Sequence, residues 1–364
     1  MRYLVEDNKR HTRRKMIDAL DNDLVKILTE LITNSDDSYR RLCKDAGKNL
    51  YEDNPAPINI IVDSFNREVT VIDNAEGMSK EGIINNFQSY GADTSGRAKG
   101  HETRGIFGQG ASDVLFTQNN SKLLTIKNEK FHEALFGYDD ERYFNIEEKP
   151  SLSISKFRAK YGIKNNGTVI NFRLNDKVPM PQNFLEKLRV FYMLRFIFSD
   201  PHRKISVKFQ KKDKQYQRVA ISYQFPKVSE KEILCDEDIN FKFEKWQVNG
   251  RLKIYQSEHK IKMQETHGDL RILVYDNENN IYDNTFFDYS DTHPGIEYLH
   301  GELRLNDTAD IIREKLNDKD PEEILSDKRD GLSKNIRSIK ASIKRSTQLS
   351  LKLLKMRANN LRMV

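Results

Sequence analysis

Apolar residues at positions 24, 25, 27, 28, 31 and 32 recur at the spacing of an α-helix, and they predict a helix over residues 21–42. Asp21 or Asn22 can cap this helix. A helix with one strongly apolar face must cover a second layer of structure. The segment at 57–73, PINIIVDSFNREVTVID, alternates as a β-hairpin does. A helix followed directly by a hairpin restricts this part of the chain to an α+β arrangement.

The rest of the chain continues to mix helical and strand signals. Ser79 can cap a helix that runs to about Tyr90, and the polar residues 91–104 are typical of a loop. An apolar helix is predicted over residues 182–198. Short strands follow from about Asp200, and helical signals return at 308–317 and again from about 332. We therefore expect two α+β domains and a helical tail, with the boundaries 1–197, 198–332 and 333–364.

The composition excludes several classes of protein. The 364 residues contain no run of apolar residues long enough to span a membrane, and the first residues lack the apolar core of a secretory signal. Cys43 and Cys235 are the only cysteines. This excludes a disulfide framework and a Cys-rich zinc site, and we expect a cytoplasmic protein with no membrane partner.

The basic side chains are unevenly spread. There are 61 Lys and Arg against 55 Asp and Glu, a net charge of +6, but residues 331–364 hold nine Lys or Arg and no acidic residue. The first 330 residues therefore carry 52 basic and 55 acidic side chains, a net charge of −3. The segments 203–218 and 333–364 are candidate nucleic-acid contacts. A solvated strand explains the first of them equally well.

Three polar residues of the first predicted helix share one face. Glu30, Asn34 and Asp37 follow the i, i+4, i+7 spacing and lie at the edge of the apolar arc, where a helix meets a cleft. The Glu30 carboxylate could polarise a water molecule, and the Asn34 amide oxygen could bind Mg²⁺. Ordinary polar residues near a helix boundary are the alternative interpretation.

The hairpin ends in DNAEGMS, residues 73–79. Asp73 at the strand end can accept a hydrogen bond from an exocyclic amine. Gly77 lets the backbone approach a flat ring, and Met78 adds a soft apolar wall. A common exit turn with an Asn and a Gly is the alternative.

A glycine-rich segment, GIFGQGAS at 105–112, precedes a second apolar helix. Glycines at a helix start leave backbone N–H groups that can donate to phosphates, and the helix dipole favours that contact. A flexible connector is the alternative, although Phe107 favours an ordered turn. Lys99 and Arg104, in the polar loop before it, could meet phosphate oxygens.

Together these segments resemble the sequence boxes of the GHKL, or Bergerat-fold, ATPases. ELITNSDDS is similar to the N-box, VIDNAEGMS to the first glycine box, and RGIFGQGASDVL to the glycine box after the lid. NGTVI at 166–170 resembles the strand that closes the adenine pocket. The four segments occur in family order, and the resemblance covers residues 10–197. It implies a Bergerat-fold two-layer α/β sandwich, then a smaller α/β transducer-like domain and a basic C-terminal helix.

The resemblance implies roles in an ATP site. Glu30 would be the general base for the attacking water, and Asn34 would hold Mg²⁺. Asp73 would accept from the adenine amine, with Thr168 nearby, while Asp37 matches a variable pocket position. The remaining nucleotide-binding positions would be Gly77, Met78, Lys99, Gly105, Phe107, Gly108, Gln109 and Gly110.

The first glycine box departs from the family pattern. The family's box usually reads D-x-G-x-G, but Ala75 stands at the first glycine and Glu76 follows it. If that position requires a positive φ, alanine costs about 1 kcal/mol.

In the family a basic transducer residue reaches the γ-phosphate, and Lys328 or Arg329 is the local candidate for this catalytic role. A solvated turn is the alternative there.

The resemblance implies a slow ATP hydrolase that acts as an ATP-gated clamp. ATP would order the lid, two copies would dimerise through the first domain, and the transducer would relay the change. A partner chain, and a role on DNA in genome maintenance or defence, are further expectations. The competing interpretation is a non-catalytic ATP-sensing scaffold or chaperone-like protein that switches protein partners.

Overall fold

The computed structural model describes residues 2–4, 16–17, 20–45, 56–89, 110–139, 141–210, 216–225, 230–243, 245–261, 270–286 and 294–317. These residues form two compact units. The first consists of those within Met1–Arg189 and Leu194–Tyr223, and the second of those within Val190–Met193 and Gln224–Val364. In these ranges no helix is long and apolar enough to cross a membrane.

A nine-stranded sheet organises the first unit. Its strands are β1 (Arg2–Leu4), β2 (Ala56–Asp63), β3 (Glu68–Asp73), β4 (Asn119–Lys127), β5 (Lys130–Asp139), β6 (Glu141–Lys149), β7 (Gly167–Arg173), β8 (Arg203–Gln210) and β9 (Gln217–Ile221). Across the sheet the order is β1-β6-β5-β4-β7-β3-β2-β8-β9. Only the β2–β8 pair is parallel among these described strands. The pair β2–β3 is the hairpin that the sequence predicted.

Three helices cover one face of this sheet: α1 (Leu24–Asp45), α2 (Lys80–Phe87) and α3 (Gly110–Thr117). The helix α1 packs on β2, β3 and α3. The rings of Phe87 in α2 and Phe116 in α3 both meet Phe136 of β5 edge-on. The apolar positions that predicted α1 are buried, as expected: Leu24, Val25, Ile27, Leu28, Leu31 and Ile32.

The two predicted caps have different outcomes. Ser79 caps α2, since its hydroxyl accepts from the Gly82 N–H at 3.1 Å. At the start of α1, Asp23 accepts from the Val25 N–H at 2.7 Å. Asp21 and Asn22, the predicted caps, instead lie in a left-handed turn before the helix.

A fourth helix, α4 (Leu152–Tyr161), packs on the opposite face of the sheet. Its Ile154 and Phe157 are buried with Ile72 and Val169. Neighbouring residues of a strand point to opposite faces, so Ile72 and Val169 point away from the face that carries α1. The sequence did not reveal α4, and the expected two-layer sandwich therefore has an additional helix on its second face.

The predicted helix over 182–198 is divided. It forms α5 (Phe184–Val190), a 3₁₀ turn and α6 (Arg195–Ser199). The break falls where β-branched and aromatic residues, Val190, Phe191 and Tyr192, follow one another. Such residues have low helix propensity, which explains why the apolar pattern alone predicted too long a helix.

The second unit contains a five-stranded sheet and the helix α7 (Thr308–Asn317), which agrees with the helix predicted at 308–317. Its strands are β10 (Glu230–Phe243), β11 (Trp246–Ser257), β12 (Ile272–Asp276), β13 (Ile281–Thr285) and β14 (Leu299–Leu305). Their order is β10-β11-β14-β12-β13, with β12 and β14 parallel. Both units mix helices with mainly antiparallel sheet, so the predicted α+β class is confirmed.

The first sheet continues past residue 197, where the sequence predicted the first domain to end. The strand β8 pairs with the whole of β2, and β9 adds the edge. In the structure the first compact unit therefore extends to Tyr223. A pairing between strands so distant in sequence leaves no local pattern that the sequence could reveal.

A buried ion pair ties β8 to α1. The Asp36 carboxylate of α1 is fully buried and contacts the guanidinium of Arg203 in β8. Arg40, one turn further along α1, also reaches Asp36 at 3.1 Å, and Arg203 also contacts Asp200. Two buried charges of opposite sign thus hold the added strand against the first helix.

We expect Arg203→Ala to lower the free energy of unfolding by about 3–5 kcal/mol, because it leaves a buried carboxylate with one partner fewer. Lys204→Ala, at the exposed next position of β8, is the matched control and should change it by less than about 0.5 kcal/mol. Urea unfolding of the full chain measures both. Equal effects of the two changes would contradict a structural role for the ion pair.

Candidate functional site

The loop after β3 is held against the polar side of α1. The Ser35 hydroxyl donates to Asp73 Oδ2 at 3.3 Å. The Ser38 hydroxyl donates to Glu76 Oε1 at 3.3 Å, and Arg41 forms an ion pair with the same oxygen at 2.7 Å. Residues 35, 38 and 41 lie on neighbouring positions of one helix face. Their contacts fix the loop relative to the helix that carries Glu30 and Asn34.

Asp73 is a buried carboxylate at the end of a strand. Its Oδ1 accepts from the Ala75 N–H at 3.0 Å, in addition to the Ser35 contact at Oδ2. Burial raises the pKa of the Asp73 carboxyl to about 6, and the hydrogen bonds from Ala75 and Ser35 act in the opposite direction. Asp73 is thus a preformed acceptor that loses its charge only in mildly acidic solution.

Gly77 is a glycine for two separate reasons. Its φ is +63°, in the left-handed region, and a Cβ there would overlap the backbone carbonyl of Ile126 in β4. Gly167 is similar, since a Cβ on it would lie 2.5 Å from the Asp73 carbonyl oxygen. These two glycines let the loop lie directly on β4 and β7.

Ala75 does not strain the loop. It is buried and is not among the described residues with a positive φ. The cost considered for alanine at this position therefore does not arise. Glu76, the second departure from the family box, forms the ion pair with Arg41.

Thr125 of β4, a fully buried residue beside the loop, was not predicted from the sequence. Its Oγ1 accepts from the Met78 N–H at 2.8 Å and donates to the Gly167 carbonyl at 3.1 Å. It also lies 3.3 Å from Thr168 Oγ1. A polar residue within the apolar segment KLLTIKN was the available signal. Met78 and Thr168, both predicted site residues, thus meet at Thr125.

Glu30 faces the start of α3. A Cβ built on Gly110, the first residue of α3, would overlap the Glu30 carboxylate. The glycine therefore allows the carboxylate and the helix N-terminus to touch, where the helix dipole favours negative charge. Two predicted site residues that are 80 positions apart in sequence are in contact.

Asn34 lies one turn after Glu30 and directly before Ser35. Its side-chain Nδ2 is buried and has no hydrogen-bond partner in the part of the chain that the structure describes. An amide can present its oxygen or its nitrogen to the same position by rotation. This amide therefore fits a ligand that supplies the missing interaction, such as a hydrated Mg²⁺. The nearby Asp37 is also buried.

The described residues do not form a metal site from protein side chains alone. No group of three or more His, Cys, Asp or Glu side chains could hold a metal ion within the ranges that the structure describes. Mg²⁺ commonly binds through one or two protein oxygens, several waters and substrate phosphates. The Asn34 amide matches that kind of site.

Several predicted site residues lie outside the described residues, and their roles stay predictions. They are Lys99, Gly105, Phe107, Gly108, Gln109 and Lys328. The lid segment 91–104 and the tail 333–364 lie outside them as well.

Residues 23–159 match the family model of the histidine kinase-, DNA gyrase B- and HSP90-like ATPases. This region belongs to the GHKL superfamily. The match includes Glu30, Asn34, Asp73 and Gly77 and ends before Thr168. No curated protein matches the chain. The first unit therefore contains a GHKL-type ATPase domain, in agreement with the resemblance.

The basic segment 203–218 is divided by the fold. Arg203 is buried in the ion pair with Asp36, so it does not belong to a surface that meets a phosphate backbone. Lys204, Lys208 and Arg218 are exposed, and the Lys208 ammonium lies 4.5 Å from the ring centre of Tyr216. Residues 211–215 lie outside the described residues. Nucleic-acid binding here stays a prediction.

We expect Gly77→Ala to destabilise the GHKL domain by more than about 2 kcal/mol, because the new methyl group meets both an unfavourable φ and the Ile126 carbonyl. Gly162→Ala is a matched control, since Gly162 has a similar φ of +70° but no heavy atom within 4 Å of the new methyl group. That change should cost only about 1 kcal/mol. Thermal or urea unfolding distinguishes the two, and equal losses would show that contact with β4 does not matter.

Proposed function

We propose that the chain binds ATP together with Mg²⁺ and hydrolyses the ATP at the site formed by α1, the loop after β3 and the start of α3. The observation that carries this proposal is the buried Asp73 carboxylate, which Ala75 and Ser35 hold at a strand end within a GHKL-type domain. The hydrogen bonds from Ala75 and Ser35 leave lone pairs on this carboxylate, and the exocyclic amine of adenine can donate to one of them.

The base would lie against the loop after β3. Asp73 accepts from the 6-amino group, directly or with Thr168 through a water. Gly77 has no side chain to keep the ring away from the backbone, and Met78 provides an apolar contact. Met78 is held in place because its N–H donates to Thr125.

The phosphates would lie near α3 and the face of α1 that carries Glu30. A bound Mg²⁺ would supply the positive charge that neutralises the phosphates. Asn34 would hold this ion, and Asp37 would line the same pocket. Backbone N–H groups at the helix start, with Lys99 before them, would bind the phosphates. The predicted donors are Gly105, Gly108, Gln109 and Gly110, with Phe107 ordering the turn.

Glu30 would position and deprotonate the attacking water. Its contact with Gly110 at the N-terminus of α3 supports this role, because phosphates bound at that helix start would lie beside the carboxylate. In the clamp proposal, ATP binding orders the lid, two copies dimerise and Lys328 contacts the γ-phosphate. The same proposal includes the binding of a partner chain, and the binding of DNA along residues 203–218 and 333–364.

The alternative is an ATP-sensing scaffold, in which ATP binding switches protein partners and hydrolysis is incidental. The two proposals share the adenine contacts and differ at Glu30. Turnover, not affinity, therefore separates them.

We expect Glu30→Ala to abolish ATP turnover and to leave ATP affinity within about threefold of the wild type, because Glu30 acts on water and not on the base. Glu30→Gln, which keeps the shape but not the basicity, should be equally inactive. Phosphate release and ATP binding are measured on the full chain, with and without duplex DNA. A wild type that binds ATP without turnover would support the scaffold instead. If duplex DNA neither binds the protein nor stimulates ATP turnover at about 50 mM salt, the proposed role on DNA is wrong.

ATP affinity should depend on the protonation of Asp73. Its pKa is raised, so the acceptor is charged above about pH 6 and neutral below it. Affinity should therefore rise as the pH increases through about 6, and on the acidic side it should fall by up to about tenfold per pH unit. Fluorescence or calorimetric titration between about pH 5 and about pH 8 measures this.

Purine riboside triphosphate, which lacks the 6-amino group, is the control for this titration. The phosphate groups of both nucleotides titrate in the same range and cancel in the comparison. The ratio of the two affinities should change through about pH 6. A ratio that stays constant across this range would contradict the contact between Asp73 and the amine.

A further inference from the structure

Thr125 stands in a row of polar residues that crosses three strands. In the sheet register Asp73 lies opposite Thr168, and Thr168 lies opposite Thr125. Residues opposite one another in neighbouring strands point to the same face, here the face that carries α1. All three side chains are at least nine-tenths buried, and Thr125 is fully buried. Thr125 is therefore adjacent to Thr168, on the side away from Asp73.

The hydrogen bonds of Thr125 fix the direction of its hydroxyl proton. A hydroxyl has one proton and two lone pairs. The Met78 N–H donates to Thr125 Oγ1 at 2.8 Å and occupies one lone pair. The Gly167 carbonyl oxygen, at 3.1 Å, can only accept, so it takes the Thr125 proton. One lone pair of Thr125 is left.

The remaining contact then sets the polarity of Thr168. Its Oγ1 lies 3.3 Å from Thr125 Oγ1. Because the Thr125 proton is already donated to Gly167, this hydrogen bond forms only if Thr168 donates. Thr168 then has no proton for a ligand and presents lone pairs alone. Next to it, the Asp73 carboxylate also presents lone pairs alone.

We propose that Thr125 is a positioning residue that determines nucleobase specificity, because it makes Thr168 an acceptor and so favours a 6-aminopurine over a 6-oxopurine. This inference rests on the proposed ATP site. A 6-amino group has two protons to donate, whereas a 6-oxo group has none. A water held between Asp73 and Thr168 would donate both of its protons to them, so it would offer only a lone pair to the group at position 6.

The test compares the affinities for ATP and for inosine triphosphate, which carries an oxygen at position 6. Thr125→Val removes the hydroxyl with little change of shape and releases the Thr168 proton for the ligand. We expect the preference for ATP over inosine triphosphate to fall about tenfold in this variant, the value of one hydrogen bond of ordinary strength. Thr125→Ser keeps the hydroxyl and should keep the wild-type preference.

The Thr125→Cys variant carries a thiol, which forms weaker hydrogen bonds than a hydroxyl, and should show an intermediate preference for ATP over inosine triphosphate. It tests the same statement if the valine variant does not fold. All titrations are made at about pH 8, where Asp73 is charged. If Thr125 had a purely structural role, its substitution would weaken the binding of ATP and of inosine triphosphate by the same factor. An unchanged preference in both the valine and cysteine variants would therefore overturn the inference, even if both nucleotides bind more weakly.

The wild type separates this result from a failure of the proposed function. If the wild type binds neither nucleotide, the ATP site itself is wrong, and the inference falls with it. If the wild type binds ATP and inosine triphosphate with equal affinity, the ATP site stands and only the inference about Thr125 is overturned.

Discussion

The candidate nucleotide site depends on the register of three neighbouring antiparallel strands, β3, β7 and β4. That register brings Asp73, Thr168 and Thr125 into one row on a face that is otherwise mainly apolar. Burying such groups is unfavourable unless each finds a partner. The two threonines are partners of each other. Thr125 also bonds the backbone of Met78 and Gly167, and Asp73 accepts from Ser35 and from the backbone of Ala75. A slip of one residue would turn the slipped residues toward α4 and break these hydrogen bonds, so the site also stabilises the register on which it depends.

The helix α1 serves both the core and the site. Its apolar stripe is buried on β2 and β3, while the adjoining polar stripe carries Glu30 and Asn34 and holds the loop after β3 through Ser35. On its other side that loop rests on β4, because Gly77 allows contact with the Ile126 carbonyl. The loop is therefore fixed from two directions. A preorganised loop of this kind loses little conformational freedom when a flat ligand binds.

Local patterns in the sequence were enough to predict α1, the β2–β3 hairpin, the Ser79 cap and α7, because each depends on residues close together in the chain. Asp73 and Gly77 were found for the same reason, since both lie in or beside one turn. Thr125 was missed because its role arises only when β4 pairs with β7. The same holds for the contact between Arg203 and Asp36, which spans 167 positions. Glu76 departs from the family motif, and the sequence could not show that it forms an ion pair with Arg41.

The parallel pairing of β2 with β8 has a consequence for how the chain is made. Asn59 in β2 and Ser206 in β8 are bonded neighbours separated by 147 positions. During synthesis from the N-terminus, β2 therefore waits with an open edge until the ribosome has released β8. An open strand edge can pair with other chains. The time between these two events is thus the period when the nascent protein is most exposed to misassembly, and faster elongation through residues 64–202 would shorten it.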